Sequence, residues 1–249
     1  MTLPKPVSEP DNPFLRRILW TLCSFNIFVC LSSFGAYLIS HPLSVQNLEG
    51  KVLARLYRFS GVNVESSLPT WYTSSLWLMM AVVSLMIAVL GRNKPVFWRG
   101  GLLLAAVSLS ASLDEIAQVH ESLALFGQLA LGSIQSNIPV LAHFLWVVPG
   151  LIVSTLVGLS LVNFIRQLPS KAARGIVASA AIFLTGALGM EILSGLWAYR
   201  FGENIYYQLL VTIEEGMEMT GITVALVSLL SVIRFRPQSE GVHLGINLK

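Results

Sequence analysis

Residues 100–126 read GGLLLAAVSLSASLDEIAQVHESLALF, a run without a lysine or arginine that nevertheless holds Asp114, Glu115, His120 and Glu121. As a helix the run exceeds the length needed to cross a hydrocarbon core of about 30 Å. A helix is the open-chain form that satisfies its own backbone in lipid. The stretch therefore reads as a membrane span carrying acids it has no internal cation to neutralise.

Five more apolar runs flank it, at about 17–40, 71–90, 139–164, 175–199 and 207–233. The hydrophobic fraction is 54%, charged residues make up 12%, and the mean hydropathy is +0.70, a balance foreign to soluble domains. The chain is expected to be an all-α polytopic membrane protein with six transmembrane helices, spans three to six forming a bundle around an acidic cluster. Residues 1–15 are Pro-rich and polar and read as a disordered cytoplasmic N-terminus. Residues 16–236 form the membrane domain, with an outer loop at 41–70, and 237–249 form a cytoplasmic tail.

The net charge of +3 does not point to nucleic acid, because the cations sit in short loops. Lys5, Arg16, Arg17, Arg92, Lys94, Arg99, Arg166, Lys171, Arg174, Arg234, Arg236 and Lys249 fall on one side of the six spans. Lys51, Arg55, Arg58 and Arg200 fall on the other. Positive loops mark the cytoplasm, so both termini are expected inside. Trp71, Tyr72, Tyr199, Tyr206 and Tyr207 would mark the outer interface, Trp20 and Trp98 the inner one. Arg16 and Arg17 before an apolar run resemble a signal peptide, but the run is long and lacks a small-residue cleavage site, so an uncleaved first span is expected. Cys23 and Cys30 are seven residues apart on one helix, about 10 Å along the axis, too far for a disulfide between them.

In the outer loop, Leu48, Val52, Leu56 and Phe59 recur at helical spacing beside Lys51, Arg55 and Arg58. This predicts a short interfacial helix, either a lid or a helix on the membrane surface.

The chemistry is concentrated in seven of the thirteen acidic residues, which lie inside apolar runs: Asp114, Glu115, Glu121, Glu191, Glu214, Glu215 and Glu218. A carboxylate at the bilayer centre costs about 2.5–3.5 kcal/mol on insertion scales, so such a group needs a metal ion, a proton or water. Counted from the proposed outer ends, Asp114, Glu121, Glu191, Glu214 and Glu218 lie about 8 to 18 Å deep. The overlap predicts one outward-side centre. Asp114, Gln118 and Glu121 would share a face of span three, Glu214 and Glu218 a face of span six, and His120 and His143 supply nitrogen. Spans one and two hold no acid in their cores and are expected to be peripheral to the chemistry and to serve packing, so Asn26→Leu should leave any activity largely intact. Gly186, Gly189, Gly195, Gly216 and Gly221 read first as ordinary helix packing.

Carboxylates with few imidazoles suit hard or borderline metals, so a divalent metal, iron or manganese, is the favoured cofactor. The candidate ligands are Asp114, Glu115, His120, Glu121, His143, Glu191, Glu214 and Glu218. The donor set matches di-metal carboxylate bundles in composition, but the Glu-x-x-His pairs those use do not occur. A zinc hydrolase would want more imidazoles, and no Gly-x-Ser-x-Gly elbow supports a serine nucleophile.

At SLDEIAQVHESL, GMEILSG and IEEGMEMTG, over roughly residues 100–235, the chain resembles uncharacterised bacterial multi-pass inner-membrane proteins. Those carry Leu-Asp-Glu…His-Glu in one span and Glu-Glu…Glu in the last. The resemblance implies a bacterial inner membrane and residues of interest, without a reaction. Three readings stand: a metal centre, redox-active on a lipid-soluble substrate; a proton- or cation-coupled transporter; or a non-catalytic assembly subunit. The bilayer and a lipid-soluble small molecule are the partners implied, and no nucleic acid.

Overall fold

The computed structural model describes residues 12–41, 48–119, 147–238 and 241–247. It is helical apart from one terminal hairpin. Helix α1 (Pro13–Ser40) starts where Asn12 accepts the Phe14 N–H at 3.0 Å, with Pro13 in the first turn. There its missing N–H costs nothing. The short α2 (Leu48–Ser60) follows, then α3 (Leu68–Leu90), capped by Ser67, which accepts from the Thr70 N–H. Helix α4 (Pro95–Ala117) again begins on a proline. Then come α5 (Val147–Gln167), α6 (Ser170–Leu184), a π-helical turn (Thr185–Met190), α7 (Glu191–Phe201) and α8 (Ile205–Leu230).

Among the described residues five helices are long and apolar enough to cross a membrane: α1, α3, α4, α5, and the continuous rod from Ser170 to Phe201. They match five of the six expected runs, with shifted ends. Helix α8 has 26 residues but holds Glu214, Glu215 and Glu218. It falls outside that set on composition.

Two ends differ from the sequence expectation in a way that matters. Span three was expected over 100–126, whereas α4 runs from Pro95 to Ala117 and stops at Gln118, which adopts φ +54° and donates its N–H to Asp114 O at 2.7 Å. Starting five residues earlier, α4 already reaches about 34 Å by Ala117, a full crossing. Asp114 and Glu115 therefore sit in the last turn of α4, and the face expected to join Asp114 and Gln118 to Glu121 runs outside the described residues. At the other end, the chain after α8 forms an antiparallel hairpin, β1 (Ile233–Gln238) with β2 (Gly241–Ile246), pairing Ile233 with Ile246. The membrane domain and tail boundary expected at 236 falls inside this hairpin.

The helix order in space is also not the expected one. Helix α8 packs against α1, α3, α6 and the π turn, while α4 packs mainly on α3 and touches α5. Over its most apolar window α3 is 56% buried and α5 only 11%. Among the described residues the acidic helix packs chiefly against spans one, two and five rather than against spans three and four. Spans one and two do the packing expected of them, and they do it directly on the acidic helix. Asn26 of α1, 2% exposed, donates to Thr223 Oγ1 of α8 at 3.3 Å and accepts from the Tyr72 hydroxyl of α3 at 2.6 Å. Where lipid removes the hydrophobic drive between helices, such polar links and close contacts hold the bundle.

Small residues provide those contacts. A Cβ on Gly221 would stand 2.8 Å from Phe183 Cβ, and one on Gly100 would stand 2.6 Å from the Phe164 ring. Only glycine allows α8 to meet α6, and α4 to meet α5, this closely. Phe97, Phe164, Leu168, Leu229 and Val232, all buried, close the end of the bundle beside the hairpin. Cys23 and Cys30 are free thiols, as their spacing requires.

Candidate functional site

The site is built around α8. Glu214, 7% exposed, is the buried member of the Glu214, Glu215, Glu218 set, and the other two are half-buried. Ser194 of α7 donates its hydroxyl to Glu214 Oε2 at 3.2 Å and lies equally close to the Glu191 carbonyl. Glu191 lies beside Glu214 and is the acid that acts on it most strongly. Two carboxyls can form a hydrogen bond only if one carries a proton, which then donates to the other.

What brings Glu191 there is local. The π turn over Thr185–Met190 precedes it directly and changes the winding of an otherwise continuous rod. Single π turns re-aim the residues that follow them. Within this turn Gly186 lets the rod lie against α8: a Cβ there would be 3.0 Å from Glu214 O and 3.2 Å from Glu218 Cγ. Gly186 is therefore a close-approach residue, whereas Gly189 meets only its own Thr185 at 3.6 Å and is ordinary helix surface.

Around the pair the field is negative. Glu215 lies within electrostatic range of Glu115, Glu65 and Glu191, and Glu218 within range of Glu215, Glu115, Glu214 and Glu191. The acids thus form a string of like charges. Its members come from four elements: Glu65 from the loop between α2 and α3, Glu115 from the last turn of α4, Glu191 from α7 and the rest from α8. Tyr207 of α8 lies between the loop and the site, within range of Asn63 and of Glu203, Glu191 and Glu214. Nearby, the Tyr57 hydroxyl donates to Gln208 Oε1 at 3.1 Å, and burial, with Tyr37 second, pushes the Tyr57 phenol above its ordinary value. It stays a neutral donor.

Of the eight residues expected as ligands, the structure places Glu191 beside Glu214, with Glu115 and Glu218 within electrostatic range of the same acids. Asp114 is half-buried in the last turn of α4. His120, Glu121 and His143 lie outside the described residues. Among the described residues no three His, Cys, Asp or Glu side chains are gathered closely enough to hold a metal ion. Sequence reasoning missed Glu65 because it counted only acids inside apolar runs. It also missed Ser194, whose one signal was its place three residues after Glu191.

Behind α8 an open groove of about 350 Å³ is lined by Asn26, Ile27 and Cys30 of α1, Ile182 of α6, and Gly216 and Thr220 of α8. Ile27 is 61% exposed. The Cys30 thiol is within electrostatic range of Glu215, so the groove borders the acids.

A family model described as a domain of unknown function (DUF8692) matches residues 27–233, and the chain belongs to that family. The match covers every element named above from the middle of α1 to the start of β1. No curated protein and no solved structure matches the chain.

Proposed function

We propose that this protein crosses a bacterial inner membrane six times, with both termini in the cytoplasm, and acts as a proton- or cation-coupled transporter whose proton is held between Glu191 and Glu214. The single observation that carries the reading is the placing of Glu191 beside Glu214, with the Ser194 hydroxyl bonded to Glu214 Oε2 and to the Glu191 carbonyl. A shared proton leaves the pair with one negative charge in place of two like charges side by side. Glu65, Glu215 and Glu218 extend the field from the loop into the helix and supply further positions for a proton or cation. The sixth crossing is α8 itself, its acids neutralised by the protons it handles.

The test is reconstitution in sealed vesicles with an imposed pH gradient. The wild type should move protons, alone or with a cation, and Glu214→Gln should reduce the flux to that of empty vesicles. Wild-type vesicles no leakier than empty ones would remove the reading.

A second reading, an iron or manganese centre acting by oxidation or reduction on a lipid-soluble substrate, is favoured by one specific observation. The groove lined by Cys30 and Gly216 borders Glu215, which stands in the field of Glu115 at the end of α4. Asp114, His120, Glu121 and His143 would complete the ligand set. Elemental analysis of protein purified without chelator separates the two readings: stoichiometric iron or manganese lost in Glu115→Gln supports the metal centre.

A further inference from the structure

Helix α2 is amphipathic twice over. At about 100° per residue, Leu48, Val52, Leu56 and Phe59 fall within an arc of about 80°, while Tyr57 lies on the far side. The far side is the one that docks. Gly50 is buried, Leu53, Ala54 and Tyr57 are half-buried, and Tyr57 bonds to Gln208 of α8. The segment after the helix is pinned as well, the Val62 N–H donating to Ser33 Oγ of α1 at 2.9 Å. The stripe of four large apolar side chains points away from the bundle, with exposures of 78%, 58%, 49% and 59% in chain order. A lid would turn these residues inward.

Lys51, Arg55 and Arg58 lie together along one flank of the stripe, about 60 to 120° from its centre. At the same end of the bundle, α1 exposes Leu38 and Ile39, and α3 exposes Trp71, which suits a headgroup boundary. An apolar stripe edged by cations is the pattern of a helix lying in the plane of a lipid surface. We propose that α2 binds the membrane leaflet at its own end of the bundle, burying Leu48, Val52, Leu56 and Phe59 among acyl chains while Lys51, Arg55 and Arg58 contact phospholipid phosphates. The helix then fixes the loop that carries Asn63 and Glu65 at a set height above the acids. The inference rests on α1 and α3 being membrane-crossing, and not on what the glutamates bind.

The test uses the full chain with Cys23 and Cys30 replaced by serine, spin-labelled at Val52→Cys, Leu56→Cys or Arg58→Cys. Vesicles are phosphatidylcholine, alone or mixed with phosphatidylglycerol. Collisions with oxygen should exceed those with a water-soluble nickel chelate several-fold at positions 52 and 56 and be reversed at 58. Replacing Lys51, Arg55 and Arg58 together by glutamine should reduce the oxygen excess in the anionic vesicles. An independent readout is Leu56→Trp, whose fluorescence should be quenched by lipids brominated high on the chain. Nickel exceeding oxygen at 52 and 56 would overturn the proposal, as would spin–spin broadening at 52 showing a second copy on the stripe. Because no reading depends on transport, an inactive protein with lipid-buried labels would count against the proton site and leave this inference standing.

Discussion

Two regions of this bundle bury polar groups in opposite ways. Between α3 and α4, Ser74 and Ser112 exchange bonds, each hydroxyl donating to the other residue's carbonyl at 2.9 Å. Beside them Asn26, Tyr72 and Thr223 link three helices. Every group in these links is neutral and its partner is supplied. Between α7 and α8, Glu191 and Glu214 meet in a field set by Glu215, Glu218, Glu115 and Glu65. Here the groups are ionisable and of one sign, so nothing in the pairing itself favours the folded state. The first region holds the helices together; the second is tolerated by them, and a burden of that kind is kept for what it does.

Breaking the neutral links should therefore cost stability. The largest loss is expected for Asn26→Leu, which strands the buried Tyr72 and Thr223 hydroxyls. Each unsatisfied group costs about 1–3 kcal/mol, and a steric equilibrium-unfolding assay in detergent should read a sum within that scale. A variant as stable as wild type would show that the three-helix link is incidental. Gly186→Val comes next. Its side chain cannot fit 3.0 Å from Glu214 O, and overpacking of this kind costs about 1–3 kcal/mol. It should also part Glu191 from Glu214, so activity should fall further than stability. The smallest effect, about 1 kcal/mol, is expected for Ser112→Ala, with activity retained after normalising to folded protein. Lost activity in folded Ser112→Ala would blur the division between the two regions.

The helical spans were legible because apolar runs without lysine or arginine, each long enough to cross a bilayer, have few other uses. Their ends were less so. Hydropathy continues past Ala117 to Phe126, and the proline that starts α4 reads as loop punctuation until one notices that position N1 suits it. The hairpin had a signal in the alternation of Ile233, Arg234, Phe235 and Arg236 with Val242, His243, Leu244 and Gly245, a period of two that a search for spans passes over. Which helices surround the acids was not legible from the acids. Adjacency is decided by pairs such as Asn26 with Thr223 and Gly221 with Phe183, whose partners lie far apart in the chain. For the site, the acids of α7 and α8 stood out by their cost in lipid. Glu65 did not, since in a loop a carboxylate costs nothing and leaves no mark.

The central claim is that Glu191 and Glu214 share a proton inside the bundle, and infrared difference spectroscopy of the protein in lipid reads that proton directly. At neutral pH the wild type should show the carbonyl stretch of a protonated carboxylic acid, shielded from rapid deuterium exchange. The band should shift in Ser194→Ala, which removes the hydroxyl bonded to Glu214, and vanish in the Glu191→Gln/Glu214→Gln double variant with the helical amide bands unchanged. A wild-type spectrum with only ionised carboxylates, or a band that survives the double variant, would contradict the account.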